Sequence, residues 1–289
     1  MALVSATGPV DAEATRRRLP GNAATHVALG IVAVYVLLAV VSPLVLGDYI
    51  SVHPATRLKP PSATFWFGTD QLGRGIFERT LVGTGNSLLV GACVALLATL
   101  IGGGIGLVAG YFRTGEWVIM RLMDGLMAVP SVLLAIALAS LLGAGLTTVI
   151  IAIAVPEIPR MVRLVRSVVL ALRQQPYVLA AISIGTRPAK ILFRHILPNA
   201  VGALTVQATY VCASAIITES ILSFLGIGST PDSPSWGSIM AYGRPYFQVS
   251  PWMILFPGVF LSVLVLTINI LGDGLRDMLD PRLRRGATL

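Results

Sequence analysis

The chain has 289 residues, of which 55% are hydrophobic and only 12% charged, whereas a soluble domain carries about 25% charged residues. A mean hydropathy of +0.82 excludes a chain whose main solvent is water, and several apolar runs approach the roughly 20 residues that cross a ~30 Å hydrocarbon layer. The formal charge of +8 does not mark a nucleic-acid interface, because the basic residues stand at the ends of apolar runs and not among aromatics on one polar face.

The first 26 residues are polar or small and contain Arg16, Arg17 and Arg18; an apolar run, 27–46, follows. A secretory signal has the same order of features, but its apolar region is about 7 to 15 residues long and ends at a small-residue cleavage site. This run is longer and meets Gly47-Asp48-Tyr49, so a retained first span is expected. Residues 48–85 are too polar to span, being rich in proline and carrying Asp70, Arg74, Glu78 and Arg79. In 71–82 the spacing of Leu72, Ile76 and Leu81, with Thr69 or Asp70 as N-cap, predicts a helix lying along the membrane surface.

Apolar runs then recur at 87–112, 117–142, 146–161, 201–225 and 252–271, for six spans in all. Pro156, Glu157, Pro159 and Arg160 interrupt the fourth, predicting a helix that starts in lipid and runs out into water, with a re-entrant segment as the alternative. The small-residue strings Gly102-Gly103-Gly104-Ile105-Gly106 and Gly143-Ala144-Gly145 predict close helix approach, since in lipid van der Waals fit and not water exclusion drives association. The fold expected is therefore all-α, an integral membrane bundle of about six transmembrane helices. It divides into a tail of 1–26, a membrane domain of 27–275 and a tail of 276–289.

Short cytoplasmic loops retain Lys and Arg. With the N-terminus inside, the inner segments hold Arg16, Arg17, Arg18, Arg113, Arg121, the seven basic residues from Arg160 to Arg194, and Arg276, Arg282, Arg284 and Arg285. Only Arg57, Lys59, Arg74, Arg79 and Arg244 fall outside, and an even number of spans places both termini in the cytoplasm.

The inner loop 160–199 is long and contains no acidic residue. Residues 177–185 read as a short helix stopped by Gly185, which adopts the left-handed conformation of a helix C-terminus without steric penalty. Thr186 is placed to cap a second helix with Pro188 in its first turn, running to about Ile196 and ended by Pro198. The prediction is a helix, a sharp turn and a second helix with a neutral-to-basic surface.

Leu179-Ala180-Ala181 followed by Gly185, and Ile191 with Arg194-His195-Ile196-Leu197-Pro198-Asn199, resemble the EAA loop of ABC importer permeases. Phe67-Gly68-Thr69-Asp70-Gln71-Leu72-Gly73-Arg74, Ala109-Gly110-Tyr111-Phe112, Arg121-Leu122-Met123-Asp124, Ser223-Phe224-Leu225-Gly226-Ile227-Gly228, Pro234-Ser235-Trp236-Gly237, Asn269 through Asp277 and Asp280-Pro281-Arg282 are similar to the C-type subunit of the dipeptide, oligopeptide and nickel branch. The resemblance covers 65–285. It implies a pore shared with a homologous B-type permease subunit, an extracytoplasmic substrate-binding protein docking on 48–85 and 226–251, a bacterial inner-membrane location, and a coupling helix seated on an ABC ATPase subunit. Tyr177, Leu179, Ala180, Ala181, Gly185 and Arg187 are then the ATPase-coupling residues, with Leu179 standing where the family carries glutamate.

A phosphate-binding loop needs Gly-x-x-x-x-Gly-Lys followed by Ser or Thr. Lys59 precedes Pro60 and Lys190 precedes Ile191, so no such loop is present; the chain is expected to be non-catalytic, with ATP and Mg held by partner subunits. Glu219 inside the fifth span either lines the pore, meeting a substrate amine, or is held between helices. Asp124 is expected to pair with Arg121, and Asp273 and Asp277 to form a solvated cluster with Arg276. Pro130 and Pro156 are read as kinks and His195 as a local packing residue. His26, His53, His195, Cys93 and Cys212 share no metal-ligand spacing. A secondary transporter or channel subunit is the competing reading, and would carry more intramembrane ionisable groups.

Overall fold

A computed structural model describes residues 21–47, 49–112, 114–228 and 233–279. The arginine triplet at 16–18, Asp48, Arg113 and the segment 280–285 lie outside them, as does most of the N-terminal tail.

Every one of the six apolar runs falls on helix, because in a span the backbone must satisfy its own hydrogen bonds. The first helix, α1 (Gly21–Val45), buries Ala28, Tyr35 and Ser42, a seven-residue repeat that forms one seam. Along that seam Tyr35 donates its hydroxyl to the carbonyl of Phe260 at 2.9 Å and meets the Trp236 ring edge-on.

Between the first two spans, Asp70 organises a tight turn. Its Oδ1 accepts the backbone N–H groups of Leu72 (2.8 Å) and Arg74 (2.9 Å), and its Oδ2 accepts Arg74 Nε at 2.7 Å. Both side chains are buried. Gly73 sits at φ +78 with no room for a Cβ, which would fall 1.9 Å from the His53 carbonyl oxygen.

The surface helix expected over 71–82 does not form. Residues 71–74 belong to the turn, and Ile76 begins α2 (Ile76–Leu97), which continues through a π-helical turn at Ala98–Gly102 into α3 (Gly103–Tyr111) as one 36-residue rod. Its N-cap is Gly75, since the Asp70 carboxylate is already committed to Leu72 and Arg74. Of the charged residues that suggested a wet surface, Asp70, Arg74 and Arg79 are buried. Arg79 is fully buried and donates to the Tyr49 carbonyl at 3.2 Å.

The third run is two helices, α4 (Glu116–Met127) and α5 (Ser131–Leu142), bent by 87°. Pro130 disfavours the helical region for Val129, so the first helix must stop there. By contrast α6 (Leu146–Arg173) runs unbroken through Pro156 and Pro159, with no re-entrant turn. At 28 residues and about 1.5 Å per residue it is ~42 Å long, more than a bilayer core. Gly143 and Gly145 do not mediate helix approach; both have positive φ in the turn before α6, with nothing within 4 Å of a built Cβ.

After α6 come α7 (Pro176–Ser183), α8 (Pro188–Ile191), a π-helical turn at Leu192–Ile196 and α9 (Leu197–Phe224). Pro198 does not end the second loop helix as expected: it lies in the first turn of α9, and Pro188–Phe224 is one continuous 37-residue stretch. The widened π turn lies just before Pro198, whose nitrogen has no proton for the carbonyl four residues back. Two more helices, α10 (Trp236–Gly243) and α11 (Trp252–Leu279), complete the described chain.

Among the described residues four helical stretches are long and apolar enough to cross a membrane, and five if the bent pair is one span. The remaining run lies on α6, whose Glu157, Arg160 and Arg163 fall within the stretch. The bundle is built around α9, which packs against α2, α6, α10 and α11. Against α6 the approach is made by α3 and the preceding π turn: a Cβ added at Gly102, Gly106 or Gly110 would fall 2.7–2.8 Å from the Cβ of Met161, Val165 or Val169. Two rows at four-residue spacing thus mesh, the small-residue geometry expected when helices associate in lipid.

Candidate functional site

The end of α6, α7 and α8 form a V-shaped element at one end of the bundle. Both short helices begin with proline, Pro176 and Pro188, at a position whose N–H has no helical partner anyway. Pro188 disfavours helical geometry at Arg187, which is extended (ψ 139); Arg187, and not Thr186, therefore occupies the N-cap position of α8.

The vertex is Gly185, at φ +77. Gly185 N–H donates to Ile182 O (2.9 Å) and Thr186 N–H to Ala181 O (3.1 Å), the paired bonds that close a helix around a left-handed residue. No atom lies within 4 Å of a Cβ built on Gly185, so its requirement is purely conformational.

Val178 and Ala181 turn inward and join Val165, Val169, Ile191 and Ile196 in the main apolar cluster, anchoring both arms of the V to α6. Tyr177, Leu179, Ala180 and Arg187 are exposed, and Ile184 at the vertex is 81% exposed. Between the arms lies an open groove of about 450 Å³, walled by Tyr177, Ala180 and Ile184 on one side and by Lys190, Arg194 and His195 on the other. The Tyr177 and His195 rings, 6.4 Å apart, bring the arms together.

Polar contacts fasten α6 to its neighbours. Arg173 donates to the Tyr111 carbonyl at 3.0 Å and lies over the Tyr111 ring. Arg166 binds Glu116 with both Nε and Nη2, and Arg163 binds Asp124. Asp124 therefore does not pair with Arg121, whose guanidinium stacks on Trp117 instead. Farther along, Glu157 Oε1 accepts Arg160 at 2.9 Å and Ser214 of α9 at 3.1 Å. Asp273 likewise takes a tertiary partner, accepting the hydroxyl of Tyr210 on α9.

Away from the V-shaped element, Glu219 is buried between α2 and α9, and its carboxylate accepts hydroxyls from Ser223 (2.7 Å), Ser87 (3.2 Å) and Ser220 (3.4 Å). It borders a cavity of about 50 Å³ that also touches Asn86, Ser233 and Ser235. Asn86 donates to Ser233 Oγ and the Pro234 carbonyl, tying α2 to the segment before α10. That segment ends in a capping box formed by Ser235 and Ser238. Glu219 and Asp124 are thus on different helices with separate partners, and neither touches the V-shaped element. Sequence reasoning missed the pairs Arg166–Glu116 and Arg163–Asp124, since sequence spacing reveals partners within one helix and not across two; it missed Arg74–Asp70, four residues apart, because the pair closes a turn before α2 and not a helical face.

A family model described as "Binding-protein-dependent transport system inner membrane component" matches residues 102–285. A "Probable peptide ABC transporter permease protein" of Sinorhizobium fredii is 52% identical over 256 residues, covering 89% of this chain and 88% of that protein. The dipeptide transport system permease protein of Alkalihalophilus pseudofirmus is 41% identical, covering 93% and 89% respectively. The oligopeptide transport system permease protein of Bacillus subtilis is also 41% identical, covering 93% and 88%. Among solved structures, the MetNI methionine ABC transporter in inward-facing conformations has a chain that superposes with TM-score 0.57 at 19% identity, over 68% of this chain and 94% of that one; this is a likeness of fold.

Proposed function

This chain belongs to the binding-protein-dependent transport system inner membrane components, and from that premise we propose that it is one of two homologous permease subunits of an ABC importer that carries dipeptides or short oligopeptides inward. The observation that carries this reading is the V-shaped element at 176–196: a rigid turn fixed by Gly185, its inner face packed on α6 and its vertex exposed. Peptide as cargo rests on the names of the relatives, which span peptide, dipeptide and oligopeptide permeases.

The element faces the cytoplasm, where the acid-free, arginine-rich loop is retained. Tyr177, Leu179, Ala180, Gly185 and Arg187 meet an ABC ATPase subunit, while Ala181, expected among them, is buried against α6 and holds the helix that presents them; the ATPase binds ATP and Mg and supplies the hydrolysis that this chain has no phosphate-binding loop to perform. Closure of two such subunits pulls on α7. The motion passes into α6, and through Arg166–Glu116 and Arg163–Asp124 into α4, so that the pore shared with the B-type permease subunit alternates between its inward-facing and outward-facing states. A loaded substrate-binding protein docks on the outer segments 48–85 and 226–251.

Reconstitution tests the proposal. Liposomes holding this chain, its sister permease and the ATPase should take up a labelled dipeptide only when both the binding protein and ATP are supplied. Uptake driven by an ion gradient through this chain alone would support a secondary transporter and overturn the reading.

A further inference from the structure

The charge on the V-shaped element is one-sided. From residue 158 to residue 218 the sequence contains no Asp or Glu. Its first basic residues are committed within the fold: Arg160, Arg163 and Arg166 to carboxylates and Arg173 to the carbonyl and ring of Tyr111. Arg187, Lys190 and Arg194 are exposed, and among the described residues no carboxylate lies within 4.0 Å of any of them.

Two of these three are organised. Lys190 and Arg194 are four residues apart, which puts them on one helical face, and both line the 450 Å³ groove opposite Tyr177, Ala180 and Ile184. The small alanine side chains leave the groove open, and the apolar wall lowers the local dielectric beside the two cations.

We propose that this groove receives an acidic side chain of the ATPase subunit, whose carboxylate lies against Lys190 and Arg194 while its neighbours cover Ile184. The inference rests on the coupling reading above and adds to it the sign of the contact: cationic on the permease, anionic on the ATPase. Charge-assisted hydrogen bonds from arginine and lysine are the strong kind, and they set register between partners more than they set bulk affinity. A phospholipid headgroup has matching charge, but lipid recognition draws on clusters of about 4–8 basic residues spread along a membrane-facing surface. Here two cations face an apolar wall across a groove of side-chain size.

The test uses the full complex, purified in detergent through a tag on this chain, with the ATPase subunit retained per permease as the readout. It compares the wild type with Lys190→Glu/Arg194→Glu and Lys190→Gln/Arg194→Gln, at low and high salt. Charge reversal should reduce retention about tenfold or more at low salt, since like charges placed together cost several kcal/mol, and the neutral pair should fall between. Wild-type retention should drop as salt rises, and retention by the reversed pair should recover, because screening weakens attraction and repulsion alike. A misfolded variant would not recover with salt. Equal retention by wild type and reversed pair, a loss that salt does not relieve, or loss of co-purifying anionic lipid with the ATPase still bound would each overturn the inference. A wild-type chain that retains no ATPase at all would instead sink the functional reading on which it rests.

Discussion

Replacing Gly185 by valine is expected to cut ATP-driven uptake by about tenfold or more while the ATPase subunit remains bound, and replacing it by asparagine is expected to preserve most uptake. Gly185 is held at φ +77, where an L-residue with a Cβ costs about 1–2 kcal/mol and a β-branched one is a true outlier. The open space around the site removes crowding as a competing cause. Strain is relieved by opening the bonds from Gly185 N–H to Ile182 O and from Thr186 N–H to Ala181 O, after which α7 pivots freely on α8. Valine therefore loosens the vertex while the other exposed contact residues, Tyr177, Leu179, Ala180 and Arg187, keep their side chains. Asparagine tolerates the left-handed region, and alanine should fall between the two. Uptake and ATPase rates measured on the same purified complexes check the order; equal uptake by all four would mean that the turn carries no force.

Asp70→Ala is expected to destabilise the complex by about 3–5 kcal/mol, the usual cost of breaking a buried ion pair and leaving its cation behind. Asp70 and Arg74 are 2% and 6% exposed, and Arg79, a second buried cation, lies five residues farther on. Alanine also removes the acceptor for the N–H groups of Leu72 and Arg74. Asp70→Asn keeps one acceptor without the charge, and its loss should be smaller. Because Arg74 is the stranded partner, Asp70→Ala/Arg74→Ala should be less destabilised than the two single effects summed. Thermal melts of the detergent-solubilised complex read this directly: additive effects, or a melt for Asp70→Ala at the wild-type temperature, would show that the turn is not held by the pair.

What was legible in the sequence was what local chemistry determines. All six apolar runs fall on helix, although only four helical stretches among the described residues, or five with the bent pair counted as one, are long and apolar enough to span. Gly185 and Pro188 placed the turn within the V-shaped element, because a left-handed residue and a proline each constrain their own backbone. The errors lie where tertiary partners override local pattern. The spacing of Leu72, Ile76 and Leu81 within a polar segment made 71–82 look like a surface helix, yet Arg79 is buried against the Tyr49 carbonyl and the segment from Ile76 onward is the start of a span.

Pro198 read as a terminator, but a π-helical turn precedes it and absorbs the missing N–H, so α9 begins there instead. Pro130, read as a kink, does bend its run, by 87° between α4 and α5, through its effect on Val129. Asp124 found its partner 39 residues away on α6 while Arg121, one turn earlier, was the only choice that sequence spacing offered. The groove between the arms of the V was legible only in part: the absence of acid was plain, but which cations remain uncommitted depends on the contacts of α6 with α3 and α4.

The central claim is that the exposed vertex of the V meets an ATPase on the inner face of the membrane, and a photo-crosslinking residue introduced at Ile184 measures this most directly. Irradiation of intact membranes should join the permease to the ATPase subunit, and Ile184→Cys should resist a membrane-impermeant thiol reagent added outside intact cells. Crosslinks to the extracytoplasmic binding protein, or labelling of Ile184→Cys from the outside, would contradict it.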